Sequence, residues 1–268
     1  MEWLQWQPLV IYLLTGAVVG VLAGLFGVGG GLLVVPVLTS VFAWTLGDNP
    51  HITHLAIGTS LATILVTSLA SVRAHHSHGA VDWTLVRSLA AGIFMGAFVG
   101  GWSSQFIPAR ELAWLFAGLE AAIALYLLLA IQPRPHRQLP GPAGRTLAGA
   151  VIGFLASLVG IGGGTLTTPY LVWHNVPMHT AIAVSAACSL PVAAAGTLGY
   201  LLGGLHAEGL PPGATGYLYW PAFVGIVTAS SLTARFGARL AHRLPPKPLK
   251  RAFGAFLLLL AAKMAIWG

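Results

Sequence analysis

Two long stretches of this 268-residue chain contain no Asp, Glu, Lys or Arg. One runs from Trp3 to Gly47, and the other covers the 62 residues from Thr146 to Ala207. Charged residues make up 7% of the chain, whereas a typical soluble domain has about a quarter. A soluble fold of this length cannot bury so much apolar surface in one core. The sequence therefore predicts an all-α, polytopic membrane protein.

Charges, prolines and glycine clusters divide the apolar sequence into ten segments. They lie at about 9–26, 32–46, 53–72, 84–106, 110–131, 146–159, 165–174, 179–202, 217–234 and 249–267. Several reach the ~20 residues that a spanning helix needs. The first pair and the pair that begins at residue 146 are shorter, and a glycine cluster separates the members of each. We therefore predict about 8–10 transmembrane segments, with the glycine-broken short helices near the midplane, either as full crossings or as hairpins that turn within the bilayer.

The chain contains the same glycine-rich phrase twice. "GVGGGLLVVPVL" at 27–38 returns as "GIGGGTLTTPYL" 133 positions later. Aligning 20–38 with 153–171 gives 11 identities in 19 positions, where composition alone would give about two. Each half then holds five segments, and because five is odd, the halves are expected to be inverted repeats. We assign residues 1–131 to an N-terminal repeat, 132–144 to a cytoplasmic linker and 145–268 to a C-terminal repeat.

The basic residues predict the orientation of the chain. If the turn at Asp48 faces outside, eleven of the 13 basic residues face the cytoplasm, and only Arg110 and Lys263 do not. This satisfies the positive-inside rule and places both termini on the outer face. Because the basic residues follow the ends of apolar runs, the net charge of +7 indicates a lipid bilayer as the partner and no nucleic acid. The sequence leaves the oligomeric state open.

Each phrase has four glycines in five residues, which favours unwound or sharply turned backbone. Pro36 and Pro169 follow at the same spacing and are predicted in the first turn of a helix, with Thr168 as an N-cap. Free N–H groups and the positive end of the helix dipole bind anions. Two such termini would bracket a site near the bilayer midplane. The alternative is that the glycines only let helices pack closely.

The candidate substrate site comprises the glycines and prolines of both phrases and the small polar residues that follow them. In the first half these are Gly27, Gly29, Gly30, Gly31, Pro36, Thr59 and Ser60; in the second half they are Gly160, Gly162, Gly163, Gly164, Thr165, Thr167, Thr168, Pro169, Ser185 and Cys188. The hydroxyls would hydrogen-bond substrate oxygens, or alternatively bond neighbouring helices and their own backbone. Cys188 is alternatively a small buried hydrophobe.

Three residues are candidates for proton coupling. Glu120 is the one carboxylate near the middle of an apolar segment, where a charge is costly and often functional. It could instead pair with an arginine or stay protonated. His54 and His179 hold equivalent positions at the starts of their segments, where histidine can titrate or can simply mark the membrane boundary. No cofactor and no metal site is predicted, since the chain has one cysteine and "HHSH" at 75–78 is interpreted as a solvated loop.

At these residues the sequence resembles the sulfite exporter TauE/SafE family of bacterial membrane permeases. The match rests on "GLFGVGGGLLVVPVL", "GFLASLVGIGGGTLTTPYL", the segments "HLAIGTS" and "HTAIAVS", and "GAVDW" at 79–83, and it covers essentially the whole chain. The resemblance implies transport of small, mostly sulfur-containing anions, such as sulfite or sulfonates, across the bacterial cytoplasmic membrane. The resemblance implies no catalytic residues.

The expected function is a secondary transporter that moves such an anion by alternating access, with proton coupling as one way to drive it. An anion channel is the first alternative, because sequence does not separate a channel from a carrier. An integral-membrane enzyme fits less well, since it needs a nucleophile within reach of a base. His179 and Ser185 lie six residues apart on one predicted helix and so point in different directions.

Overall fold

The computed structural model describes residues 3–26, 30–77, 79–129, 138–241 and 246–267. These residues form ten α-helices, one turn of 3₁₀ helix and a two-stranded hairpin, which confirms the all-α prediction. The helices are α1 (Trp3–Phe26), α2 (Gly31–Thr45), α3 (Ile52–Ser77), α4 (Trp83–Ser103), α5 (Ala109–Leu128), α6 (Pro142–Leu158), α7 (Gly164–Trp173), α8 (Met178–Gly203), α9 (Trp220–Ala241) and α10 (Pro246–Trp267). The 3₁₀ turn is Ser104–Phe106, and the hairpin pairs β1 (Ala214–Thr215) with β2 (Leu218–Tyr219).

The outer faces of the helices are apolar. Leu14, Met95 and Leu259 are each more than 60% exposed, and many other large apolar side chains are also exposed. Four helical spans are long and apolar enough to cross a membrane: Ile52–Ser77, Trp83–Phe106, Ala109–Leu128 and Met178–Gly203. A surface with this many exposed large apolar side chains is stable in lipid and not in water. The chain is therefore an integral membrane protein.

The helices of one half pack mainly against those of the other. Helix α1 lies along α9, α4 lies along α6, α3 contacts α8, and α5 contacts α10. Glycines allow the closest approaches: a Cβ on Gly149 of α6 would lie 2.6 Å from the Leu89 oxygen of α4. At the equivalent place, a Cβ on Gly16 of α1 would lie 2.7 Å from Ile226 Cα of α9. Small residues at these positions let the helix backbones touch, as is common in membrane proteins.

The helix termini collect at two ends of the molecule. At the end called here the Asn49 end, Asn49 Nδ2 donates to the Gly209 oxygen at 2.8 Å, and the His54 ring lies 4.7 Å from that of Tyr217. Helices α3, α5 and α9 begin there, and α4 and α10 end there. At the opposite end, called the His75 end, the Trp83 indole N–H donates to His76 Nδ1 at 3.2 Å.

Glycine contacts also give the relative directions of the long helix pairs. Gly92, Gly96 and Gly100 of α4 meet, in that order, Thr146, Ala150 and Phe154 of α6. These two helices therefore run parallel, and both start at the His75 end. Helices α1 and α9 are likewise parallel, because Gly16 and Gly20 of α1 approach Ile226 and Ser230 in turn. That second pair starts at the Asn49 end.

The second glycine phrase forms a tight helix–turn–helix connection. Gly160 has φ +69°, its N–H donates to the Ser157 oxygen at 3.2 Å, and the Ile161 N–H donates to the Ala156 oxygen at 3.0 Å. This pair of bonds closes the C-terminus of α6 as a Schellman motif, for which a left-handed glycine is the usual residue. Helix α7 then starts at Gly164, and α2 starts at the equivalent Gly31.

Two predictions about these helices are wrong. Pro36 and Pro169 are each the sixth residue of their helix and not in its first turn. Thr168 is inside α7 and is not an N-cap; its hydroxyl donates to Ser185 Oγ at 2.9 Å. Unpaired backbone groups are costly in a membrane, so each helix extends back to the last glycine and loses only the one hydrogen bond that proline cannot donate.

Candidate functional site

A cavity of about 590 Å³ reaches from the His75 end to the glycine turn between α6 and α7. We call it the His75 cavity. Helices α3, α5, α7, α8 and α10 surround it. Its lining residues are Ile64, Thr67, Ser68, Ser71, His75, Leu119, Ala122, Ile123, Tyr126, Leu127, Gly162, Gly164, Thr165, Leu166, Thr168, Pro169, Met178, Ile182, Ser185, Ala186, Ser189 and Phe253.

The inner part of this cavity is polar, and none of the described residues that line it there is charged. The Gly164 N–H, at the start of α7, donates to Ser189 Oγ at 3.2 Å. Ser189 Oγ donates in turn to the Ser185 carbonyl oxygen at 3.1 Å, and Thr168 donates to Ser185 Oγ at 2.9 Å. Hydroxyl groups can rotate to donate to a ligand, and the α7 N-terminus adds the positive end of its dipole. Such a set can bind an anion through hydrogen bonds alone.

The rest of the cavity wall divides into an apolar and a polar side. Leu119, Ile123 and Leu127 of α5 form the apolar side together with Ile182 of α8 and Phe253 of α10. Helix α3 contributes the polar lining residues Thr67, Ser68, Ser71 and His75. The spacing of Thr67, Ser71 and His75, four residues each, places them on one face of α3.

Six of the predicted site residues line the His75 cavity. They are Gly162, Gly164, Thr165, Thr168, Pro169 and Ser185. The other predicted residues of the second half pack beside it. A Cβ on Gly163 would lie 3.1 Å from the Cys188 oxygen, and Cys188 itself is fully buried. Thr167 is also buried, and its hydroxyl has no hydrogen-bond partner among the described residues.

The predicted residues of the first half do not line the cavity where the structure describes them. Gly30 has φ +81° and precedes α2, and Pro36 is buried within that helix. Gly31 packs on the second phrase: a Cβ there would lie 2.8 Å from the Gly160 oxygen. Ser60 Oγ donates to that same oxygen at 3.0 Å, and Thr59 Oγ1 accepts from the Tyr219 N–H at 3.1 Å. Gly27 and Gly29 lie outside the described residues.

The proton-coupling candidates lie in three different environments. Glu120 is 1% exposed, and neither of its carboxylate oxygens has a hydrogen-bond partner among the described residues. It lies on the face of α5 that carries Ile123 and Leu127, beside the lining residue Leu119, but it is not itself part of the lining. His54 is buried, with Nε2 3.1 Å from the carbonyl oxygens of both Ser104 and Ile107. His179 is exposed at the start of α8.

Several cavity residues were not predicted from the sequence, namely Thr67, Ser68, Ser71, Tyr126 and Ser189. Ser189 lies one helical turn after Ser185, so helical spacing was a usable signal for it. The α3 hydroxyls carried no such signal, because Ser and Thr in lipid commonly bond their own helix. Thr67, for example, bonds the Thr63 oxygen at 3.2 Å.

Within the described residues, no group of three His, Cys, Asp or Glu side chains is placed to hold a metal ion. Of the "HHSH" segment, His75 lines the cavity and His76 contacts Trp83, while His78 lies outside the described residues.

Residues 12–264 match the sequence model of the family described as sulfite exporter TauE/SafE. A probable membrane transporter protein of Haemophilus influenzae is 34% identical over 259 residues, which cover 96% of this chain and 97% of that protein. A probable membrane transporter protein of Methanocaldococcus jannaschii is 29% identical over 270 residues, covering 96% and 94%. The probable membrane transporter protein YunE of Bacillus subtilis is 28% identical over 229 residues, covering 76% and 84%. No solved structure matches the chain significantly.

Proposed function

Since this chain belongs to the sulfite exporter TauE/SafE family of membrane transporters, we propose that it is a secondary transporter for a small sulfur-containing anion, which binds at the inner end of the His75 cavity. The observation that carries the proposal is the set of donors there: Gly162 and Gly164 of the second glycine phrase line one space together with Thr165, Thr168, Ser185 and Ser189. The oxygens of a sulfite or sulfonate group accept hydrogen bonds from such donors. Because none of the described lining residues is Lys or Arg, binding stays weak enough for release.

The apolar side of the cavity favours an organic substrate. A volume of about 590 Å³ lies within the usual range of small-molecule pockets and is far larger than a sulfite ion. A sulfonate with a short carbon chain would place its charged group at Ser185 and Thr168. Its chain would lie against Leu119, Ile123 and Phe253. We therefore propose a short organic sulfonate as the preferred substrate and sulfite as the smaller alternative.

The packing of the two halves supports transport by alternating access between inverted repeats, with the repeats at 1–131 and 145–268 and the linker at 132–144. The pair α1 and α9 corresponds to the pair α6 and α4 when the halves are exchanged, and each pair is parallel. The two pairs start at opposite ends of the molecule, as halves related by a two-fold axis in the membrane plane would. In this arrangement the His75 cavity is the opening to one side.

The distribution of basic residues supports an orientation with the His75 end in the cytoplasm and both termini outside, in the cytoplasmic membrane of a bacterium. In that orientation eleven of 13 basic residues face the cytoplasm.

Glu120 is the group proposed to couple transport to protons. A buried carboxylate without a partner is costly in its charged form. Protonation while the site faces one side and release while it faces the other would link proton movement to that of the anion. Its position on the face of α5 that also lines the cavity supports this role.

The test is uptake of labelled ethanesulfonate and of sulfite into proteoliposomes, with and without an imposed pH gradient. Thr168→Val removes a hydroxyl at the site without changing the shape of the side chain, and Thr228→Val on the exposed face of α9 is the matched control. A hydrogen bond to a charged group contributes about 1.5–3 kcal/mol, so Thr168→Val is expected to raise KM by about tenfold or more. Thr228→Val is expected to leave KM unchanged.

Three outcomes would contradict parts of the proposal. Equal KM values for wild type and a folded Thr168→Val protein would show that the anion does not bind at the glycine turn. Flux that does not saturate and never runs uphill would indicate a channel. If Glu120→Gln retained uphill, gradient-driven uptake, the coupling role would belong to another residue; the expected result is loss of uphill uptake with exchange retained.

A further inference from the structure

A second cavity, of about 320 Å³, lies at the Asn49 end of the molecule. We call it the Asn49 cavity. Its lining residues are Thr39, Ser40, Ala43, Asn49, Pro50, Ile52, Thr53, Ala109, Arg110, Lys263 and Met264. None of them lines the His75 cavity. In the described part of the chain, the two cavities therefore lie at opposite ends of the molecule and share no lining residue.

Two cations meet at the Asn49 cavity. Arg110 at the start of α5 and Lys263 near the end of α10 both line it, although they are 153 positions apart in the chain. They are also the two basic residues, of 13, that the proposed orientation leaves on the outer side. The positive-inside rule disfavours cations there. Their convergence on one cavity gives a reason for both exceptions.

Both cations are held in position by neighbouring groups. The Lys263 ammonium donates to Ser40 Oγ on α2. The Arg110 guanidinium lies over the Trp114 ring, 4.9 Å from its centre, and the Trp114 indole N–H donates to the Ala265 oxygen at 3.2 Å. Side chains that are already ordered lose less conformational entropy when a ligand binds.

Among the described residues that line this cavity, none is an Asp or Glu that could offset the two charges. Asp48 and Glu111 are close in sequence, but both are exposed and neither is part of the lining. A partly enclosed space with two cations and low-dielectric walls concentrates small anions. Ammonium and guanidinium groups also have several N–H donors each, which suits an oxyanion.

We infer that the Asn49 cavity is a capture site for a small oxyanion of sulfite or sulfonate size. There the transported anion binds on the outer side, before it reaches the glycine turn or after it leaves. The inference rests on the proposed function.

The capture site also predicts that the two openings differ in their affinity for the anion. The 137-residue spacing that matches Gly100 to Gly237 matches Lys263 to Tyr126, which lines the His75 cavity. A neutral phenol at one opening thus corresponds to an ammonium at the other.

The test compares KM for ethanesulfonate presented to each face, in vesicles of known orientation. Labelling of Asp48→Cys by a membrane-impermeant maleimide reports the orientation, since Cys188 is buried. Lys263→Met removes the charge and keeps the apolar stem, Lys263→Arg keeps the charge, and Arg87→Gln removes an exposed cation from α4, outside both cavities. At low salt, Lys263→Met is expected to raise KM about fivefold from the Asn49 face only. Lys263→Arg and Arg87→Gln are expected to match wild type.

The remaining outcomes separate the capture site from the proposed function. An equal rise of KM from both faces, with Lys263→Arg also impaired, would make Lys263 a structural residue and overturn the inference. An unchanged KM in Lys263→Met would overturn it too. If the wild-type protein transports no anion, the proposed function fails, and the capture site is tested by binding of ethanesulfonate to the purified protein. Weaker binding by Lys263→Met than by wild type supports the capture site. Binding that is equal in both proteins overturns the capture site.

Discussion

Gly31 and Gly164 occupy equivalent positions in the two glycine phrases, and each is the first residue of its helix. Their surroundings differ. A Cβ on Gly31 would lie 2.8 Å from both the Gly160 oxygen and Ile64 Cδ1, whereas a Cβ on Gly164 would meet only Ser189 Oγ, at 3.8 Å. In the first phrase the glycine is needed because another backbone touches it. In the second phrase the glycine borders the His75 cavity, and its N–H donates to Ser189 Oγ.

The side chains that follow extend this contrast. Leu32, Val34 and Val35 are buried in the core, with Val35 fully so. At the positions equivalent to Leu32 and Val35, Thr165 and Thr168 line the His75 cavity, whereas Thr167, the equivalent of Val34, is buried as well. The repeated phrase therefore starts a helix at the same position in both halves, although Gly30 has φ +81° and its equivalent Gly163 has φ −56°. The residues that follow decide whether the start of that helix packs in the core or lines a cavity.

Alanine substitutions at the two equivalent glycines test whether only the first glycine is closely packed. Gly31→Ala forces a methyl group onto backbone atoms of the second phrase, and overpacking of this kind costs about 1–3 kcal/mol. Gly164→Ala adds a methyl group in ordinary contact, and alanine favours a helix by up to about 1 kcal/mol over glycine. Thermal unfolding in detergent should show a clearly lower Tm for Gly31→Ala only. Equal Tm values would mean that the two phrases pack alike.

Replacing a residue of the first phrase by its counterpart in the second is expected to lower stability by a smaller amount. Val35→Thr introduces a hydroxyl at a fully buried position, where desolvation of a polar group costs about 1–3 kcal/mol. Part of that cost is recovered if the hydroxyl bonds the carbonyl one turn earlier. We expect a lower Tm and an unchanged KM for ethanesulfonate, in contrast to the higher KM expected for Thr168→Val. A change of KM in Val35→Thr would place the first phrase at the substrate site.

Much of the fold follows from local sequence, because helix length and hydropathy are local properties. The ten apolar segments each overlap one helix. Thr168 and Ser185 could be chosen because each follows a repeated motif at a fixed distance. The sequence did not fully predict that the first phrase packs in the core and the second lines a cavity. The change from Val35 to Thr168 indicated a less polar first half, but the contact of Gly31 with Gly160 is tertiary.

The sequence does not predict which residues of distant helices come together when the helices pack. Orientation singled out Arg110 and Lys263 as exceptions, but no spacing links two residues 153 positions apart. The start of α7 was also misplaced, since proline was expected to mark it. The requirement to pair backbone groups in lipid favoured a longer helix.

Substitutions of the equivalent serines Ser60 and Ser185 are expected to have the smallest effects, each on one measured quantity. Ser60 Oγ donates to the Gly160 oxygen at 3.0 Å and thus joins the two halves. Ser185 Oγ accepts from Thr168 and faces the cavity. Ser60→Ala should lower stability by about 1 kcal/mol and leave KM unchanged, whereas Ser185→Ala should raise KM with little effect on Tm. Measuring both parameters for both variants separates a structural hydroxyl from a substrate-binding one. A KM effect in Ser60→Ala as large as that in Ser185→Ala would show that both halves contribute side chains to the anion site.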